Sequence, residues 1–385
     1  MRCWLAVAFL LASCTGQPAI DRASSSSPIA SQATSSSSHT PAKGSGTWST
    51  VSPMRISRFY HSATLLPSGQ VLVAGGYSGF GSTGLTSSEL FDPATNTWSD
   101  AMPMRAPRAG HTATLLKNGK LLVVAGRAAG DLTSAELYDP VRNSWSAAGN
   151  ISAARTGHTA LVLRGGKVLV WGGSGPAGHY LPAEVYDPDS NGWSVVPGTE
   201  YNIRMAIVLA DGRVLALGDA QNWTFQFSRI FDPDSRAWTD AARPSFGMAQ
   251  SILLGSGKVL FYQNYDPGAG ILAQQYDPKS DTWSAVSPMS IALFGPPVLL
   301  RDGRVLVAGS ARTLVHGCSA GCANAEVFDP STGKWSLIQP MTIERGEHTM
   351  TVLADGKVLV AGGAIPPNGG TQAASEVFDP AGAHN

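Results

Sequence analysis

Arg108-Ala109-Gly110-His111 opens a stretch that continues through Thr112-Ala113-Thr114-Leu115-Leu116, the turn Asn118-Gly119 and Lys120-Leu121-Leu122-Val123-Val124. The small pair Ala125-Gly126, a polar loop, Ala135-Glu136-Leu137-Tyr138-Asp139-Pro140 and Asn143-Ser144-Trp145-Ser146 complete it. Short apolar runs divided by Asn-Gly, Ala-Gly and Asp-Pro steps read as four strands joined by turns. No helical periodicity of useful length interrupts them.

The stretch is one copy of a repeat. Its closing tryptophan recurs at Trp48, Trp98, Trp145, Trp193, Trp238, Trp283 and Trp335. The Asp-Pro step recurs at Asp92, Asp139, Asp187, Asp232, Asp277, Asp329 and Asp379, and the first-turn glycine at Gly69, Gly119, Gly166, Gly212, Gly257, Gly303 and Gly356. Seven units of about four strands predict an all-β, seven-bladed β-propeller. The first tryptophan strand comes before the first complete unit, and the last unit ends without one. The N-terminal strand around Trp48 is therefore expected to complete the last blade, removing exposed sheet edges.

Gly-Gly after the second strand, then Glu-x-Tyr/Phe-Asp-Pro and a tryptophan a few residues later, resemble Kelch repeats over residues 47–385. At fold level the chain also resembles the propeller of the galactose oxidase group. That group's copper site uses two Tyr, two His and a Tyr cross-linked to a Cys, and no cysteine here is well placed for it. A Kelch-type sialic-acid mutarotase is a second enzymatic precedent. It implies an acid or base such as Glu347 or Asp219 near an Arg on the loop face.

Arg and His precede the first strand in four units (Arg58/His61, Arg108/His111, Arg155/His158, Arg345/His348). The same units open the third strand with Glu89, Glu136, Glu184 and Glu376. Recurrence in separate blades argues for a structural network of charge-assisted hydrogen bonds rather than a ring of ligands for substrate or metal. Units four to six depart from it. Tyr201/Arg204, Phe246/Ala249 and Ala292/Gly295 stand at the Arg and His positions, and Arg229 and Gln274 replace Glu in units four and five, while unit six keeps Glu326. Either this arc is relaxed sequence or it is respecified for a partner.

Strand direction puts the tight first and third turns on one face and the varied second turns on the other. Varied loops on a rigid scaffold are the usual seat of binding. In the departing arc they offer Tyr201, Arg204, Asp219, Asn222, Trp223, Tyr265, Asp266, Arg312 and His316 as candidate binding residues.

Before residue 47 the composition changes. Met1-Arg2, an apolar run from Trp4 to Ala12 and Leu11-Ala12-Ser13-Cys14 resemble a bacterial lipoprotein signal. That resemblance implies a signal peptide over 1–13, lipid attachment at Cys14 and a place in the cell envelope, leaning to the outer membrane because Thr15 stands where a retention Asp would. Residues 14–46, rich in Ser, Thr, Ala and Pro, read as a flexible tether. The 385 residues carry 27 Lys+Arg against 27 Asp+Glu, which argues against nucleic acid as a partner.

Cys318 and Cys322, in one loop with His316, are expected to form a local disulfide; zinc is the alternative reading. No phosphate loop or His-Glu-x-x-His is present. No cofactor or metal is expected. The expected role is a membrane-anchored binding module for protein or glycan; the alternative is a carbohydrate-active enzyme, a mutarotase, epimerase or oxidase.

Overall fold

The structure, a computed structural model, describes residues 46–221, 224–247, 249–263, 272–291, 293, 295–309, 323–365 and 369–382. These residues form seven four-stranded antiparallel sheets and one two-stranded ribbon, with no helix among them. Each sheet is one repeat folded as a blade. In the second blade the strands are Thr112–Leu115, Leu121–Val124, Ser134–Asp139 and Ser144–Asn150, paired in sequence order from the centre outward. The first strands of neighbouring blades lie against one another around the axis.

The last blade pairs Thr349–Val352, Val358–Ala361 and Ser375–Asp379 with Thr47–Val51, as the position of Trp48 predicted. Both ends of the propeller therefore share one sheet, and the ring closes without a covalent link.

Second strands such as Val71–Ala74, Leu121–Val124 and Val358–Ala361 are buried along their whole length, because blades cover both of their faces. The hydrophobic core is thus divided among the seams. One cluster joins Leu72 and Ala74 of the first blade to Leu121, Val123 and Tyr138 of the second. Another joins Leu359 and Ala361 of the seventh to Val71, Val73 and Phe91 of the first.

The repeated turn residues have local reasons. Each of the seven Asp-Pro aspartates accepts the backbone N–H two residues on, as Asp92 does from Ala94 at 2.9 Å and Asp329 from Ser331 at 2.8 Å. Gly119 bonds back to Leu116 O at 2.9 Å with φ +80°, a conformation in which other residues are strained. Outer-strand tryptophans stand opposite an aromatic on the third strand, as Trp145 does to Tyr138 with ring centroids 5.0 Å apart. The indoles of Trp48, Trp98, Trp145, Trp193 and Trp283 reach the preceding blade: Trp145 Nε1 donates to Met102 O at 2.7 Å and Trp193 Nε1 to Ala148 O at 2.7 Å.

Candidate binding face and its axial mouth

The connection entering each regular blade is pinned by the repeated Arg and Glu. Arg108 donates to Ala125 O at 2.8 Å, Ser134 O at 3.0 Å and Glu136 Oε1 at 2.7 Å. Glu136 also accepts the backbone N–H groups of Arg105 (2.7 Å) and Ala106 (3.0 Å). Arg58–Glu89 (2.7 Å), Arg155–Glu184 (3.1 Å) and Arg345–Glu376 (2.8 Å) repeat this buried pair. The histidines bridge seams: His61, His111 and His158 meet Thr349 Oγ1, Ser62 Oγ and Thr112 Oγ1 of the preceding blade at 2.8–2.9 Å. For His348 the corresponding position in blade six is Pro296. Burial first, then the nearby arginine, pushes His111, His158 and His348 down to about 3, and His61 is also held well below the usual histidine range.

Where the Arg–Glu pair is missing, apolar contacts take its place. Tyr201 packs on Phe227 and Trp238, with centroids 4.5 and 5.5 Å away, beside the fully buried Trp171 of blade three. Phe246 stacks on Phe261 at 5.3 Å. Gln274 accepts from Ser245 N–H at 3.4 Å. Glu326 keeps its backbone partners, Ser290 N–H at 3.1 Å and Ile291 N–H at 2.7 Å, in a unit whose arginine position is Ala292. Burial pushes its carboxyl up.

Of the other sequence candidates, Arg204 lies exposed on the strand Ile203–Val208, and Asp219 lies on Val214–Gln221. Asn222, Trp223, Tyr265, Asp266, Arg312, His316, Cys318, Cys322 and Cys14 lie outside the described residues.

One arrangement at the loop face belongs to the opposite arc. The residue before the repeated histidine is Tyr60, Gly110, Gly157 or Glu347, with φ of 54°, 60°, 64° and 54°. These residues join hand to hand round the loop-face end of the inner strands. Tyr60 N–H donates to Glu347 O (3.4 Å), Gly110 N–H to Tyr60 O (2.9 Å) and Gly157 N–H to Gly110 O (3.3 Å). A side chain built on Gly157 would enter open space. Left-handed backbone costs a residue with a β-carbon about 1–2 kcal/mol, so Tyr60 and Glu347 are strained where two siblings use glycine.

The two strained side chains meet across the seam of the last and first blades. The backbone contact of Tyr60 N–H with Glu347 O sets the two residues side by side, and burial pushes the Glu347 carboxyl up to about 8 even though part of the residue reaches solvent. Burial, then Glu347, pushes the Tyr60 phenol up. Around them Phe59 contacts Tyr60, Tyr77 and Phe80 at 5.3, 5.6 and 5.2 Å, and Tyr60 meets Tyr77 edge-on at 6.5 Å. The mutarotase resemblance implies Glu347 or Asp219 as an acid or base and does not point to Tyr60. The signal for the pair was the alternation of Tyr, Gly, Gly and Glu at one repeat position.

The faces differ in character. The three exposed aromatics among the described residues, Tyr60, Phe80 (50 %) and Tyr180 (62 %), all lie on the loop face. The turn face carries paired charges such as Arg142–Asp139 (2.8 Å), Lys167–Asp187 (2.9 Å) and Arg304–Asp302 (2.7 Å). Among the described residues no three His, Cys, Asp or Glu side chains converge to hold a metal ion.

Fold and repeat define an all-β, seven-bladed propeller. Residues 60–250 match the family described as the KLHDC2/KLHL20/DRC7 Kelch-repeats domain, and the chain is a Kelch-repeat β-propeller. Over 96 residues it is 31 % identical to Kelch-like protein 15 of Danio rerio, Mus musculus and Homo sapiens. That match covers 24 % of this chain and 16 % of each relative. A solved structure described as a novel fungal alcohol oxidase of the AA5 family, in complex with copper, superposes with TM-score 0.70 at 18 % identity. The superposition covers 87 % of this chain and 76 % of that one, a likeness of fold.

Proposed function

We propose that the protein is a lipid-anchored, extracytoplasmic binding module whose loop face takes a protein or glycan ligand. The observation that carries this reading is the concentration of exposed aromatics on the loop face, opposite a face of tight turns and paired charges. Aromatic side chains are the usual anchors of binding surfaces. The signal-like start ending at Cys14 and the serine-rich stretch after it support an anchor and a tether.

The test is capture of protein and glycan ligands by the full-length chain, with membrane fractionation of Cys14→Ser alongside. Capture is expected to weaken in at least one of Phe80→Ala and Tyr180→Ala, and Cys14→Ser is expected to release the chain from membranes. Sugar turnover without stable capture would overturn the binding reading, and unchanged fractionation would overturn the anchor.

A second reading, a sugar mutarotase, is favoured by one observation: Glu347 is a partly enclosed carboxyl with a proton affinity suited to acid–base work near neutral pH. Exchange between sugar anomers, followed by NMR with and without the protein, tests it. A rate equal to the uncatalysed one overturns it.

A further inference from the structure

We propose that the seam between the last and first blades holds a binding site for a neutral, polyhydroxylated ligand of the saccharide class, with Phe80 and Tyr77 as ring surface and Tyr60–Glu347 as the hydrogen-bonding pair. The proposal rests on the loop face being the binding surface and deepens it.

Strain is the first argument. Glycine fills this repeat position in two sibling blades at no steric cost, yet Tyr60 and Glu347 keep β-carbons in left-handed backbone side by side. Residues held so are a reason to look for function. Chemistry is the second. A neutral carboxyl and a phenol each donate and accept hydrogen bonds, as sugar hydroxyls do. Burial keeps Glu347 largely protonated at neutral pH, which disfavours a cationic ligand. The nearby Arg127 is matched by Asp131 at 3.1 Å, so the surround offers little net charge to an ionic one. Aromatic faces are electron-rich and suit the weakly positive C–H groups of a pyranose.

Preorganisation is the third. Thr371 Oγ1 lies 2.7 Å from both Ser57 Oγ and Ser78 O. It ties the connection that carries Tyr60 to the loop that carries Phe80 and to the last blade. Such ties lower the ordering cost of binding.

The experiment is saturation-transfer NMR on the full-length protein with glucose, galactose, N-acetylglucosamine and cellobiose, and with choline as a cationic control. Transfer to ring C–H protons of at least one sugar is expected. Phe80→Ala, at a half-exposed ring, is expected to weaken binding about three- to tenfold. Glu347→Gly is expected to abolish binding while holding or raising the melting temperature, because it restores the sibling residue. A lower melting temperature for Glu347→Gly would mean a structural role and overturn the proposal. Transfer to choline in place of sugars, or to none of the probes, would overturn it too. A protein or glycan held by the loop face with both variants unaffected would leave the binding surface standing and remove this site.

Discussion

The Trp48 indole stands opposite Phe378, ring centroids 4.8 Å apart, and donates its N–H to Gln339 O at 2.8 Å. One residue of the first strand thus holds its own sheet and the blade before it. Trp48→Ala is expected to cost about 3 kcal/mol through lost packing and a lost hydrogen bond. Deleting residues 47–51 should do more, leaving Ser375–Asp379 as an open edge. Thermal melting of both variants checks this; a melting curve unchanged by the deletion would show that closure adds nothing.

Glu136 and Glu326 occupy the same repeat position with different neighbours. Glu136→Gln leaves the Arg108 guanidinium buried without a counter-charge, which is expected to cost about 3–5 kcal/mol. Glu326→Gln removes a carboxylate from a unit that lacks the arginine, and blade five already carries Gln274 at that position. Its expected effect is within about 1 kcal/mol of zero. Equal losses in urea unfolding would mean that the ion pair is not the reason for the difference.

Ala125 stands at φ +53° where sibling blades have Gly75, Gly172 and Gly362. A β-carbon at Gly75 would lie 2.4 Å from Arg108 O, and one at Gly362 2.5 Å from Arg58 O. The corresponding neighbour of Ala125 is Arg155, whose bonds to Gly172 O (3.4 Å) and Glu184 (3.1 Å) are the longest of their kind. Ala125→Gly is expected to stabilise the fold by about 0.5–1 kcal/mol and to shorten those contacts. Calorimetry and a structure of the variant check it; a destabilised variant would overturn the strain account.

Two groups of side chains give stability opposite slopes with pH. The buried histidines have folded pKa values below the unfolded value of 6.5, so their contribution is present above that pH and is lost as pH falls towards about 3. Glu347 has its folded pKa raised from 4.5 to about 8, so its contribution is full below 4.5 and is lost as pH rises through about 8. The two windows overlap between 4.5 and 6.5, where several histidines outweigh one carboxyl, so melting temperature should peak near neutral pH. His111→Gln should flatten the acid side and Glu347→Gln the alkaline side. Slopes unchanged in both variants would count against these assignments.

The repeat, the blade number and the closure were legible because each rests on local chemistry: Asp92 accepting from Ala94, Gly119 turning left-handed, Trp48 preceding the first unit. The candidate site was harder to read because it depends on contacts between blades. The loss of Arg at Tyr201 reads from sequence either as relaxation or as respecification for a partner, and the Trp171 that packs beside it sits in another repeat. Tyr60 and Glu347 lie at opposite ends of the sequence, and only closure makes them neighbours. A glycine alternating with Tyr and Glu at one repeat position was the available sign.

The shared last blade also sets an order in time. Thr47–Val51 is the first propeller segment to be synthesised, and Ser375–Asp379, its partner, is the last. Until Ser375–Asp379 is made the early strand has no edge to join, and blades can form but the disc cannot lock. A product truncated before Ser375 keeps an open sheet edge, the feature that invites aggregation and proteolysis. Synthesis of Ser375–Asp379 is thereby coupled to acquisition of the closed state, so the fold itself distinguishes a whole propeller from a part of one.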